Sequence, residues 1–241
     1  MARDEAPPFA RGETWYGVGS GGTVPVTSTD SALGALGLGG VNIEGKEFVF
    51  EPNSPDIYQG GYSNTSQDPN GRPIRVKVVR NTSGVNLKPA RLAHFDESSS
   101  GDVDTGETSR KLETGVDGYC IAVADQPAGV VDEFLPAGGV VANDLFYIVV
   151  DGPTLFTNQT SPITTAVGSI LVPQALGTTR GDDLGGRVAL QSLVFDSSTT
   201  TSSTAAALAL SYNIQNRVGK AEVINTASNA QFAGVIHRAY R

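Results

Sequence analysis

Short apolar stretches recur along the chain, separated by Gly, Pro, Asn and Ser residues that favour turns. The clearest stretch is 74–80, where apolar residues occupy alternate positions from Ile74 to Val78, as on one face of a strand. The most apolar stretch is 143–150, and we expect Asp151-Gly152-Pro153 to end it. Further strands are predicted at 41–50, 85–95, 116–124, 155–157, 163–172, 187–195, 218–223 and 232–238.

These strands and the turn-rich intervals between them predict a mostly β fold, built as a compact β-barrel or β-sandwich body. Turns are predicted at 81–84 and 125–129, and a polar loop is predicted at 96–104. Pro89 lies within the predicted strand 85–95 and indicates an edge position or a bulge, because proline has no N–H for the ladder.

The composition divides the chain into three regions. Residues 1–73 are predicted to form an extended N-terminal arm and loop region, because glycines and prolines interrupt the periodic stretches there. Residues 74–196 are predicted to form the β-barrel or β-sandwich core. Residues 197–241 begin as a Ser/Thr linker and are expected to add C-terminal strands that complete the β body. We expect the arm to gain its order from contact with a partner.

The charge balance excludes several classes of partner. The 241 residues carry a formal net charge of −8 and contain no basic run, which argues against binding to nucleic acid through its phosphates. No apolar stretch approaches the ~20 residues that a membrane helix needs, so no membrane partner is predicted. The first residues lack the apolar core of a signal peptide, and we expect synthesis in a cytoplasm.

No cofactor, disulfide or metal centre is predicted from the motifs. Cys120 is the one cysteine and lies in an apolar run, which is typical of a small buried side chain. Residues 17–22 fit the G-x-G-x-x-G pattern, but they lack the preceding strand and the following helix that dinucleotide binding needs. His94 and His237 share no metal-ligand spacing, and each is expected on a strand face or at an interface.

Acidic residues in two places are candidate chemical sites. Asp102 and Asp104 faintly resemble a calcium loop, but Glu107 stands where an EF-hand has glycine, so a solvated hairpin loop is predicted, with a weak cation site as the alternative. Asp182 and Asp183 lie between glycines, which predicts a surface turn. With no G-x-S-x-G motif and one tryptophan in the chain, an enzyme is not predicted.

Three stretches in the order 78–89, 118–125 and 135–153 resemble the small capsid decoration (cement) proteins of tailed phages. They read VVRNTSGVNLKP, GYCIAVAD and LPAGGVVANDLFYIVVDGP. In that family, a strand ending in an N-T/S-S/T-G turn precedes a G-x-A strand, an A-G turn and a strand that closes in G-P. The three stretches fall within 75–194, about half of the chain.

The resemblance implies a non-catalytic virion protein on the outer surface of a phage capsid, made in the host cytoplasm. It would bind the major capsid protein, bridge neighbouring subunits and form a homo-oligomer, with a trimer favoured. Aromatic residues dominate binding hot spots, so the aromatics of the arm and its loop are the predicted capsid contacts, although some could instead cover the β body. These predicted contacts are Phe9, Trp15, Tyr16, Tyr58 and Tyr62.

Two other functional classes remain as alternatives. A phage tail or receptor-binding β protein would carry a stalk repeat or a carbohydrate cleft, and no internal repeat is evident. A polysaccharide-degrading enzyme would need titratable groups that converge in space, and no motif in the sequence brings such groups together.

Overall fold

The computed structural model describes residues 7, 9–14, 45–50, 72–95, 115–122, 125–142, 144–158, 166–174, 179–181, 183–190, 217–225 and 227–237. This part of the chain contains ten strands and no helix. The strands are β1 (Glu47–Phe50), β2 (Ile74–Asn81), β3 (Leu92–Phe95), β4 (Gly115–Tyr119), β5 (Pro127–Val131), β6 (Leu145–Thr157), β7 (Ile170–Pro173), β8 (Val188–Leu190), β9 (Gly219–Ala221) and β10 (Gln231–Ile236).

The strands form one sheet that partly closes on itself. Their order is β1-β2-β4-β3-β5-β6-β10-β9-β7-β8, and an additional pairing of β2 with β6 closes β2, β4, β3, β5 and β6 into a ring. The β2–β6 pairing is antiparallel and runs from Arg75 to Arg80 on β2. By contrast, β2 and β4 pair in parallel, at Arg80 and Asn81.

The long strand β6 joins the ring to the rest of the sheet. Its first half pairs with β2 and β5, and its second half, from Gly152 to Thr157, pairs antiparallel with β10. From β10 the sheet continues through β9 and β7 to β8. The first half of β6 is buried on both faces, which accounts for its continuous apolar run from Leu145 to Val150.

Two apolar clusters lie on opposite faces of β6. Leu145, Tyr147 and Val149 belong to the first cluster, whereas Phe146 and Ile148 belong to the second. The second cluster draws on all five ring strands. The first cluster joins the other face of the ring strands to β1 and to the strands β7 to β10. Its members in those outlying strands are Phe48, Phe50, Leu171, Val188, Ala221, Phe232 and Ile236.

The mostly β fold predicted from the sequence is confirmed, and so is the strand at 74–80. The prediction that Asp151-Gly152-Pro153 ends a strand is wrong, because β6 continues through these residues to Thr157. The backbone of Gly152 has φ 108°, and a Cβ there would lie 2.7 Å from the carbonyl oxygen of Pro73. Glycine therefore lets β6 change register beside the start of β2 without breaking the strand.

Two other predicted boundaries differ from the structure. The predicted turn at 125–129 overlaps β5, which begins at Pro127 and pairs with β3. The predicted strand 85–95 is interrupted after Pro89, where Ala90 has φ 58°, and β3 begins only at Leu92. Two hydrogen bonds hold the chain in this turn. The Ala90 N–H donates to the carbonyl of Val131, and the Ala90 carbonyl accepts from the N–H of Thr157.

Several predictions fall on residues outside the described ranges. These are the glycine-rich motif at 17–22, the loop with Asp102 and Asp104, most of the arm and loop region 1–73, and the Ser/Thr linker. The three-region division of the chain therefore stays a prediction. None of the described residues forms a helix long and apolar enough to cross a bilayer.

Replacing Gly152 with alanine should destabilise the protein by about 2 kcal/mol, because the new Cβ meets backbone in a left-handed conformation. Gly138→Ala is the matched control, since a Cβ at Gly138 meets nothing within 4 Å and the residue is exposed. It should change stability by less than about 0.5 kcal/mol. Urea unfolding of both variants measures the difference, and equal midpoints would contradict the role assigned to Gly152.

Candidate functional site

Residues 9–14, here called the N-terminal segment, lie against the β body and contact residues 120 or more positions away in the sequence. The Phe9 ring stacks on the ring of Tyr147 in β6, with centroids 4.1 Å apart and an interplanar angle of 19°. The Tyr147 hydroxyl donates to the Phe9 carbonyl oxygen at 2.9 Å and accepts from the Phe9 N–H at 3.4 Å. One tyrosine thus holds both the side chain and the backbone of Phe9.

Arg11 is the centre of the contact, and its side chain is fully buried. Its Nε and Nη2 donate to Oδ1 of Asp132 at 3.0 and 2.6 Å, and Nη2 also donates to Oε2 of Glu133 at 2.7 Å. The backbone N–H of Gly12 donates to the other oxygen of Asp132 at 2.7 Å. Asp132 therefore accepts hydrogen bonds from both the guanidinium and the backbone of the N-terminal segment.

The two acids are held in place by the turn that follows β5. Asp132 accepts a hydrogen bond from the Phe134 N–H at 3.4 Å, and the Phe134 ring lies 4.6 Å from the Arg11 guanidinium carbon. Glu133 accepts a hydrogen bond from the hydroxyl of Thr154 in β6 at 2.9 Å. The turn and β6 together form a preorganised acidic socket for one cation.

Burial and the charge of the opposite partner have opposite effects on the pKa values of Arg11 and Glu133. Burial by itself would lower the pKa of Arg11, but the charges of Asp132 and Glu133 and their hydrogen bonds outweigh it and raise that pKa. Burial raises the pKa of Glu133, and the nearby charge of Asp132 adds to this, while Arg11 opposes it. Arg11 Nη1 and Glu133 Oε1 are buried without a hydrogen-bond partner. The two acids therefore depend on Arg11 for their compensation.

The sequence did not single out Arg11, Asp132 or Glu133. Asp132 and Glu133 are adjacent acids directly after an apolar strand in a chain with only 17% charged residues, which is the one signal that could have marked them. Nothing in the sequence pairs them with an arginine 121 positions earlier. That pairing is a product of tertiary structure.

Of the five predicted capsid-contact residues, Phe9 is the one that the structure describes. It packs against Tyr147 and the first apolar cluster, which matches the alternative that some of these aromatics cover the β body. Its role in capsid contact stays a prediction. Trp15, Tyr16, Tyr58 and Tyr62 lie outside the described residues.

A second polar cluster ties a loop to β3 and β4. His94 Nδ1 lies 3.0 Å from Oδ1 of Asp117, and Arg180 Nε lies 3.2 Å from the other oxygen of Asp117. Arg180 also contacts Asp125 at 3.1 Å, and its carbonyl accepts the Tyr119 N–H at 2.8 Å. Arg180 thus joins two acids and one strand, and its contacts are those of a structural clamp.

His94, Cys120 and Asp183 also lie within the described ranges. His94 lies on β3, as expected for a strand face, and Cys120 is buried, as predicted. Asp183 lies in an exposed turn, where it accepts a hydrogen bond from Lys88 Nζ at 2.7 Å. Within the described ranges, no group of three or more His, Cys, Asp and Glu residues could hold a metal ion.

No protein-family model matches the chain, and no curated protein matches it in sequence. Among solved structures, it is similar to the N base of the head fiber gp8.5 of bacteriophage phi29. The two share 11% identity over 68% of this chain and 94% of the other, with a TM-score of 0.34.

Arg11→Met should lower the free energy of unfolding by about 3–5 kcal/mol, because it leaves Asp132 and Glu133 buried without a cation or detaches the segment. Arg75→Met is the matched control, since Arg75 forms an ion pair with Glu47 at 3.6 Å and is 43% exposed. It should cost less than about 1 kcal/mol. Denaturant unfolding measures both, and a small effect at Arg11 would contradict the importance of the buried cluster.

Asp125→Asn should destabilise the protein more at neutral pH than in acid. Burial alone would raise the pKa of Asp125, but hydrogen bonds from the Ile121 and Ala122 N–H groups and the charge of Arg180 outweigh it and lower that pKa below its usual range. A lowered folded pKa means that ionised Asp125 stabilises the fold above the ordinary value and loses this effect as pH falls through the folded pKa.

Urea unfolding of wild type and Asp125→Asn at a series of pH values measures this effect. The difference in stability should shrink as the pH falls below about 4. The same substitution in an Arg180→Met background should show a weaker dependence on pH. A difference that stays constant across this range would show that the carboxylate charge is not what stabilises the loop.

Proposed function

We propose that this chain is a structural virion protein that binds the outside of an icosahedral phage capsid and bridges neighbouring major capsid protein subunits. The observation that carries the proposal is the burial of Arg11, which fixes the N-terminal segment to the β body. The order of turn and strand motifs within 75–194, which resembles that of phage decoration proteins, supports the same conclusion.

The anchored segment has a consequence for residues 15–44. The described residues on either side of this stretch both belong to the folded part of the chain: the N-terminal segment ends at Thr14, and the N–H of Gly45 donates to the carbonyl of Val78 in β2 at 2.8 Å. A stretch attached at both ends loses less conformational freedom on binding a partner than a stretch attached at one end. Trp15 and Tyr16 directly follow the anchored segment in the sequence.

The physical requirement for a bridging protein is many modest contacts that act together. One specific contact buries about 1,200–2,000 Å² in total, and a second contact made by the same particle becomes intramolecular. A homotrimer with an anchored stretch on each copy would engage several capsid subunits at once. The net charge of −8 suits contact with protein surfaces rather than with packaged DNA.

Trp15→Ala with Tyr16→Ala should reduce binding to capsids by about 30-fold or more, the effect of losing one hot spot of ~2 kcal/mol. The measurement is co-sedimentation of the purified protein with capsids assembled without it. Tyr58→Ala with Tyr62→Ala tests the second predicted contact region in the same way. Thermal unfolding of each variant checks that the β body remains folded.

Val167→Ala is the control for this experiment, since Val167 is an exposed apolar residue in the turn before β7. It should bind capsids as the wild type does. Deletion of residues 1–40 should abolish binding. Full capsid occupancy by the deletion variant would overturn the role of the N-terminal region, and labelled protein found on tails by electron microscopy would favour the tail or receptor-binding alternative.

A further inference from the structure

The socket that holds the N-terminal segment recognises a short peptide. Phe9, Arg11 and Gly12 make the contacts with the socket, while Glu13 bonds back to Ala10 within the segment. The residues contacted in this way are a Phe-x-Arg-Gly sequence. The socket that contacts them is defined as Asp132, Glu133, Phe134, Tyr147 and Thr154. It combines aromatic stacking, backbone hydrogen bonds and one enclosed cation, as peptide-binding sites do.

The glycine of this sequence is selected by geometry. Gly12 has φ 83°, a conformation that other residues adopt only with strain. A Cβ at this position would lie 2.8 Å from the carbonyl oxygen of Phe134 and 3.0 Å from its Cβ. A peptide that lacks glycine here cannot approach the turn closely enough for its N–H to reach Asp132. A second copy of this chain carries the required sequence by definition.

The covalent path between segment and socket is long. The contacts join positions 120 to 138 residues apart, and the chain from the segment to β1 passes through residues 15–44. At about 3.3–3.6 Å per residue, a stretch of this length can span at most roughly 100 Å. This limit exceeds the diameter of a small β domain, so chain length permits the segment to reach the socket of a neighbouring copy.

We propose that the socket accepts the N-terminal segment of a second copy, so that neighbouring copies of the protein exchange their segments. Exchange conserves every contact of the segment, which makes it a low-cost route to an oligomer. At low concentration the covalent connection favours the segment of the same chain, because its effective concentration is of millimolar order. Exchange is favoured where copies stand close together.

The inference concerns contacts between copies and does not rest on capsid binding, so it is tested with the purified full chain alone. Two wild-type preparations with different tags are unfolded together, refolded at high concentration and captured through one tag. Exchange predicts that the second tag is captured as well. An excess of a peptide with the sequence of residues 7–14 should release it, whereas the same peptide with Arg11→Met should not.

A variant pair tests the same contact in one direction. Arg11→Met supplies a chain with a defective segment and an intact socket, and Asp132→Asn with Glu133→Gln supplies the reverse. The two should form a mixed complex, and adding Arg11→Met to the second chain as well should weaken capture by about 100-fold or more, equivalent to ~3 kcal/mol.

Two kinds of result would contradict the exchange of segments between copies. Absence of any mixed wild-type complex up to the highest soluble concentration would show that the segment docks only within its own chain. Mixed complexes that survive excess wild-type peptide, or that form equally well without Arg11 on either chain, would place the contact between copies somewhere other than the socket. Because the wild-type experiment needs no substitution in the protein, it stands even if a socket variant fails to fold.

Discussion

The double burial of β6 is the constraint on which the rest of the structure depends. This 13-residue strand closes the ring through β2 and β5 and carries the remaining sheet through β10. Its alternating side chains supply both apolar clusters, with Tyr147 on one side and Phe146 on the other. A change of register in β6 would exchange the two faces, so the ring, the second half of the sheet and the acidic socket would be lost together.

The N-terminal segment is attached to this framework by a different kind of interaction. Burying Arg11 with Asp132 and Glu133 costs desolvation of three charges, and such clusters contribute little net stability compared with well-packed apolar residues. What they supply is selectivity, since few sequences satisfy an acidic socket lined by Phe134 and Tyr147. A selective contact made by a few consecutive residues suits both proposals. It fixes where residues 15–44 begin, and the segment of a neighbouring copy can make it equally well.

The predictions from sequence succeeded where a strand is defined by its own residues. The alternation in 74–80 identified β2, and the apolar stretch from 143 identified the first half of β6. They failed at Gly152 and Pro127, where turn-forming residues lie inside strands. Local turn preferences are worth about 1 kcal/mol, and pairing with β10 or β3 outweighs them. Of the candidate site, the sequence identified Phe9 as an important aromatic but not its partner Tyr147.

Composition and periodicity by themselves determined that this chain folds as strands, that it lacks the basic runs of nucleic-acid binding proteins and that Cys120 would be buried, because each of these depends on short-range patterns. Only the tertiary structure decided that the strands close into a ring and that Arg11 meets Asp132 and Glu133. The contacts of Arg11 join residues more than 120 positions apart, and long-range pairing is selected by packing and charge in the folded chain, which no local pattern encodes.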